Sequence, residues 1–200
     1  MSDQLLAPAP GVLTVGTYNQ ARRHGKKYEA VLTLEDPGTR DRLRLSAPVD
    51  QLVLQMEDCD DASLGYAVAT VNQVESGLAF LARNVNRSML VHCFHGVGRS
   101  AAFALAGLTM RSMNPENAVM ELQALRPQSV PNFVIVEHAD TLLGFNGRLL
   151  GALRAYEQTN PAKLTARTNR REYALANPGL YAKAADRSGR VIRRERVEKT

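Results

Sequence analysis

An α/β layer fold, with a central, mainly parallel sheet of about 4–5 strands and helices on both faces, is what this 200-residue sequence predicts. Three observations carry that expectation. Short β-branched or apolar runs alternate with stretches whose apolar residues recur every three or four positions. The run at 89–92 (MLVH) is apolar until its last residue, as suits the buried centre of a parallel sheet. A hydrophobic fraction of 44% excludes a wholly disordered chain.

The elements follow in order. Residues 1–10 read as an N-terminal extension and residues 11–150 as one domain. Residues 12–16 (VLTVG) form a short strand, and residues 28–34 (YEAVLTL) a second, stopped by the turn Asp36-Pro37-Gly38. Residues 52–56 (LVLQM) form a third and run into an acidic cluster, and residues 89–92 form the fourth. Ser63 is placed to cap a helix carrying Leu64, Ala67, Val68, Val71, Val74, Leu78 and Leu81 on one face. The run at 101–110 (AAFALAGLTM) supplies a buried helix. Asn114-Pro115 starts another, which stops at Pro127, and Pro131-Asn132 opens one that ends near Gly144.

Several classes fall away. The longest apolar run is far short of the roughly 20 residues that cross a bilayer, so no transmembrane segment is expected. The first residues carry Asp3 and no apolar stretch long enough for a secretory signal. Two cysteines, Cys59 and Cys93, make no disulfide framework, and a cytoplasmic location is the expectation.

Charge is uneven. Residues 1–150 hold 13 basic and 15 acidic side chains, whereas residues 151–200 hold 12 basic and 5 acidic, so the net +5 conceals −2 followed by +7. The second part reads as a basic C-terminal tail, a solvated and partly helical extension interrupted by Pro161, Pro178 and Gly179. It also offers a contact to an acidic partner or polyanion, such as nucleic acid or anionic lipid.

The chemistry sits where the fourth strand meets the next helix, at His92-Cys93-Phe94-His95-Gly96-Val97-Gly98-Arg99-Ser100. A buried strand delivers Cys93 to its carboxyl end. Gly96 and Gly98 permit positive φ, so successive N–H groups can turn inward around an anion. The helix N-terminus adds its positive end, a field that favours the nucleophilic thiolate. Arg99 brings a planar fork able to bind two phosphate oxygens at once. Together these make a nucleophile inside an oxyanion cradle, a site for covalent catalysis on a phosphate monoester.

This stretch resembles the H-C-x5-R-[S/T] signature of the cysteine-dependent protein tyrosine phosphatase superfamily. The order of elements, with Arg126-Pro127 and Pro131-Asn132 after the signature, is similar to its compact dual-specificity branch over about residues 10–145. The resemblance implies a protein tyrosine phosphatase-like fold and assigns roles. Cys93 would attack phosphorus and form a phosphocysteine, and Arg99 would bind the phosphoryl oxygens. Ser100 would donate a hydrogen bond to the sulfur, while His92 would hold the loop and help tune the thiolate. Phe94, His95, Gly96, Val97 and Gly98 would cradle the phosphate through backbone N–H groups. The leaving oxygen needs a proton, which the family takes from an Asp about thirty residues before the Cys. Asp58, in Leu54-Gln55-Met56-Glu57-Asp58, is the first choice, and Asp60 and Asp61 remain candidates. The implied enzyme is a protein tyrosine or dual-specificity phosphatase acting on phosphorylated proteins, with no metal and no cofactor.

The sequence also departs from the larger tyrosine-specific enzymes. It has no Trp, hence no Trp-Pro-Asp loop, and no matching phosphotyrosine-recognition segment. Rival readings are weaker. An inert core thiol leaves the glycine-rich turn and Arg99 unexplained. A zinc site wants four ligands, and Cys59, His24 and His138 add none at a recognisable spacing. A nucleotide P-loop would need a Lys. Cys59 is read as a packing residue, with reversible pairing to Cys93 as the alternative. The alternative functions are a phosphate-recognising binding module, or hydrolysis of phosphoinositides or RNA 5′-phosphates.

Overall fold

Four strands, β1 (Leu13–Thr17), β2 (Ala30–Glu35), β3 (Asp50–Gln55) and β4 (Met89–Cys93), form a wholly parallel sheet in the order β1-β4-β2-β3. The computed structural model describes residues 8–39 and 42–177, together with the backbone of 184–185 and 191–192. Every strand lies within about two residues of its predicted ends, the ordinary uncertainty of such boundaries. The apolar run at 89–92 becomes β4, which is buried along its whole length because β1 and β2 flank it.

Alternation along β4 divides two cores of unequal size. Met89, Val91 and Cys93 join the main core, whereas Leu90 joins a small cluster with Ala21, Tyr28 and Val31 on the other face. That second face is covered by α1 (Tyr18–His24) and by Leu43, Leu45 and Val49. The main face carries α2 (Val71–Arg83), α3 (Arg99–Ser112), α4 (Pro115–Leu125), α5 (Phe133–Leu142) and α6 (Arg148–Gln158). Within α3 every residue from 99 to 109 is buried, which fixes the helix behind the site. The expected α/β fold with helices on both faces is the one observed, with one face far thicker than the other.

Helix starts follow their caps. Asn114 accepts from the Asn117 N–H and Asn132 from the Ile135 N–H, as the Asn-Pro and Pro-Asn patterns predict. The helix expected from Ser63 is corrected. Ser63 lies in a one-turn 3-10 segment, Ala62–Leu64, capped by Asp61 and ended by Gly65 at φ 75°. The long helix starts at Val71, where Thr70 and Gln73 satisfy each other's backbone N–H in a capping box. Leu64, Ala67 and Val68 therefore precede it.

The basic segment is helical over most of its length up to residue 177. The charge break at residue 150 falls inside α6, whose Leu149, Leu150 and Leu153 are buried in the main core. Pro161 does not interrupt helix there. Asn160 caps and Pro161 occupies the first turn of α7 (Pro161–Ala176), where a missing N–H costs nothing. Short antiparallel strands β5 (Ala184–Ala185) and β6 (Val191–Ile192) follow. Residues 1–7, Pro178 and Gly179, and the cluster Arg187, Arg190, Arg193, Arg194, Arg196 and Lys199 lie outside the described residues. Among the described residues no helix is long and apolar enough to cross a membrane.

Candidate active site

The carboxyl ends of parallel strands gather the polar side chains, as open α/β sheets do. β4 ends on Cys93, β2 leads into Asp36 and β3 into Asp58. The loop from Cys93 to Arg99 joins β4 to α3.

Cys93 is buried and its Sγ has two polar neighbours, the Gly96 N–H at 3.3 Å and the Ser100 Oγ at 3.2 Å. The loop is shaped from outside. The carbonyls of Gly96, Val97 and Gly98 accept from Arg126 Nε (3.1 Å), the Val130 N–H (2.9 Å) and the Asn132 N–H (3.2 Å). Three successive carbonyls are thus tied to the 126–132 segment, which explains why Arg126-Pro127 and Pro131-Asn132 accompany the loop. Lys163, buried on α7, donates its Nζ to the carbonyls of Pro127 and Ser129 and braces that segment in turn.

The two loop glycines serve different ends. Gly96 adopts φ 68°, and a Cβ there would meet the Gly16 carbonyl oxygen at 2.7 Å. Gly98, at φ −98°, needs no special conformation, contrary to the expectation of positive φ. It leaves room instead, since a Cβ would lie 2.4 Å from the Asp58 carboxylate and 2.7 Å from Arg170.

Arg99 is almost fully enclosed. Its Nη1 pairs with Asp36 at 2.9 Å and donates to the Met56 carbonyl at 2.6 Å. Its Nε is buried without a hydrogen-bond partner and stands 4.0 Å from the Asp58 carboxylate. Burial raises the Asp36 carboxyl above its ordinary value although Arg99 pulls the other way.

The three acidic candidates separate cleanly. Asp58 lies against Gly98 and Arg99, held by Asn132 Nδ2 at 3.1 Å and by Arg170 of α7 through two contacts of 2.9 and 3.3 Å. Burial alone would raise its carboxyl, but the charges of Arg170 and Arg99 win and hold it well below the usual carboxylate range. Asp60 turns away, accepting the Phe133 N–H at the start of α5 and pairing with Arg167 and Arg170. Asp61 caps the Ala62–Leu64 turn through Ser63.

His92 points to the opposite face of the sheet. Its Nε2 lies 2.9 Å from Thr33 Oγ1, which also accepts from Gln51. Burial pushes its imidazole down to about 4, so the ring is neutral. Phe94 is exposed beside the loop, stacked on Tyr18 at 6.4 Å between ring centroids and edge-on to His95 at 4.7 Å. Among the described residues no group of three His, Cys, Asp or Glu side chains is arranged to hold a metal ion.

Sequence reading missed Asp36, Asn132, Lys163 and Arg170 at this site. Asp36 had a signal, its position at the end of a strand adjacent to β4; it was read as a turn residue. Pro131-Asn132 reads from sequence as a helix start; Asn132 caps α5, and its amide also reaches Asp58 and the Cys59 carbonyl. Lys163 and Arg170 carried no local signal.

Residues 58–133, which span the acidic loop, the Cys93 loop and the start of α5, match the family model of the protein-tyrosine phosphatases. The chain has the cysteine-dependent tyrosine phosphatase fold. Among solved structures it is similar to a human tyrosine phosphatase-like serine/threonine/tyrosine-interacting protein, 19% identical with a TM-score of 0.53, over 67% of this chain and 92% of that one. Human DUSP28 is 21% identical with a TM-score of 0.51, over 69% of this chain and 96% of that one. PTPMT1, solved in complex with PI(5)P, is 21% identical with a TM-score of 0.50, over 68% and 95%. A search of curated proteins gave no match. The likeness of fold agrees with the resemblance drawn from the Cys93 signature, and α7 with its Arg170 lies outside the residues that the family model matches.

Proposed function

We propose that this protein is a cysteine-dependent phosphatase that hydrolyses phosphate monoesters through a phosphocysteine on Cys93. The observation that carries the reading is the Cys93 loop, with its carbonyls tied outward while Sγ receives an N–H and a hydroxyl contact. The unpartnered Nε of Arg99 is a buried donor that a phosphate oxygen would satisfy.

In the first step the Cys93 sulfur attacks phosphorus as the bond to the leaving oxygen breaks. Asp58 gives that oxygen a proton, and the transferred phosphoryl group rests in the loop N–H groups against Arg99. In the second step Asp58 takes a proton from water, which attacks phosphorus and breaks the P–S bond. The departing sulfur is stabilised by the Ser100 hydroxyl, and inorganic phosphate leaves. Asp58 is preferred over Asp60 and Asp61 because only its carboxylate lies against Gly98 and Arg99. His92 acts from behind, neutral and bonded to Thr33, as a support for the end of β4.

The Tyr18, Phe94 and His95 rings beside the loop favour an aryl ester, and hence phosphotyrosine in a protein, because an aromatic ring stacks against them. The basic C-terminal region favours a second reading, a polyanionic substrate such as a phosphoinositide, the ligand class present in the PTPMT1 structure.

Turnover of para-nitrophenyl phosphate tests the reaction. Wild type turns it over, and Cys93→Ser loses at least about a thousandfold, as expected when a covalent nucleophile is removed. Turnover that persists in Cys93→Ser overturns the reading. Phosphotyrosine peptides and phosphoinositide vesicles offered side by side then separate the two substrate classes.

A further inference from the structure

The acidic loop is fastened to α7 at several points, and one of them reaches the reacting end of the site. Arg170 grips the Asp58 carboxylate with both terminal nitrogens and turns its Nε to Asp60 at 3.2 Å. Arg167 bridges Asp60 and Glu157, and its guanidinium carbon stands over the Phe133 ring, 3.6 Å from the centroid. At the other end of the loop, Tyr66 donates its hydroxyl to the Asn177 carbonyl, just past α7. Lys163 meanwhile ties the same helix to the 126–132 segment that shapes the Cys93 loop.

We infer that Arg170 is a positioning residue that sets where the Asp58 carboxyl stands and how readily it holds a proton. The inference rests on the phosphatase reading and on Asp58 as its acid. The groups facing Asp58 are Arg99 from α3, Asn132 from the cap of α5, Arg170 from α7 and, beyond Arg99, Asp36 just past the end of β2. Asp60, two residues away across the same guanidinium, takes part of its charge. Arg99 is already shared with Asp36, and an incoming phosphate would engage it further. Among the described residues Arg170 is then the cation left to Asp58. A bidentate Arg–carboxylate pair fixes orientation as well as charge, so Asp58 stands against Gly98 without a swinging loop to bring it there. The same pair favours the ionised carboxylate, and Asp58 must carry a proton to protonate a leaving oxygen. The cost falls on esters whose leaving group needs that proton most, alkyl rather than aryl.

The test uses full-length protein with Arg170→Gln and Arg170→Lys. The first readout is the alkaline limb of kcat for phenyl phosphate, which reports the acid in the enzyme–substrate complex. Arg170→Gln moves that limb upward by about 1–3 pH units, the effect of removing an opposite charge at this range. Arg170→Lys, which keeps the charge and loses the fork, falls between it and wild type. The second readout needs no turnover: the carboxyl carbon of Asp58, assigned with Asp58→Asn, is titrated by NMR and moves up in Arg170→Gln. Both movements support the inference. A limb and a titration that stay in place while only thermal stability changes overturn it and leave the phosphatase reading intact. A carboxyl that moves while a limb lost in Cys93→Ser does not overturns Asp58 as the acid, and the inference with it. Turnover independent of Cys93 overturns both.

Discussion

At the scale of single residues, the same chemistry is used in opposite ways on the two faces of β4. Cys93 faces the main core and has a hydroxyl and an N–H directed at its sulfur, whereas the preceding His92 faces the thin side and is sealed there against Thr33. A sealed imidazole makes a prediction about pH. His92 titrates near 6.5 in an unfolded chain and at about 4 in the folded one. As pH falls from 6.5 to 4, the unfolded chain takes up this proton first, so the contribution present above 6.5 is lost across that window. The loss amounts to about 3 kcal/mol at its fullest. Denaturant unfolding of wild type and His92→Gln at a series of pH values checks it, and the difference between the two should shrink toward pH 4. A constant difference would mean that the imidazole is not held neutral by its surroundings.

At the scale of elements, buried polar side chains do as much as apolar ones to place the site. Lys163 is the clearest case, because its ammonium holds the carbonyls of Pro127 and Ser129 from a helix more than thirty positions away. Replacing it with Met keeps most of the stem's packing and strands two carbonyls. The expected cost is about 1–3 kcal/mol of stability, the price of unsatisfied buried groups. The 126–132 segment then loosens, so KM for a phosphate ester rises more than kcat falls. Thermal unfolding and steady-state kinetics on the one variant read both, and an unchanged melting temperature would rule out the bracing role. This element also shows what sequence could and could not convey. The strands and the Asn114 and Asn132 caps are local, encoded in apolar runs and in side chains acting two or three residues away, and they were readable. The Cys93 loop was readable for the same reason, since strand, glycines, Arg99 and Ser100 are contiguous. The start of α2 was misplaced because Ser63 imitates a cap, while the Thr70–Gln73 box that wins lies seven residues on. Arg170 was unreadable because its partner Asp58 is 112 residues away, and nothing in either neighbourhood announces the pairing.

At the scale of the whole molecule, the contrast between an acidic first part and a basic second part suggests a division between domain and tail, and part of it is instead a fastening. Asp58 and Asp60 of the first part are met by Arg167 and Arg170 of the second, so part of the opposite charge is paired within the fold. Where the chain can be shortened follows from burial rather than from charge. A chain ending at residue 147 would lack Leu149, Leu150 and Leu153, all enclosed in the main core. Each is worth about 1.5–3 kcal/mol of burial, against a net stability of only about 5–15 kcal/mol for a domain of this kind. Such a chain should fail to unfold cooperatively at 25 °C or melt many degrees lower. A chain ending at residue 159 keeps α6 but loses Lys163, Arg167 and Arg170. It should retain the sheet and its far-ultraviolet circular dichroism while the acidic loop and the 126–132 segment become accessible to hydrogen exchange. A chain ending at residue 177 keeps every contact described between α7 and the loop and should match the full protein in both measurements. If the chain ending at 159 shows no gain in exchange at residues 58–61 and 126–132, α7 is an ornament on the fold. If that gain appears, the helix is the part of this molecule that turns a mobile acidic loop into a fixed one.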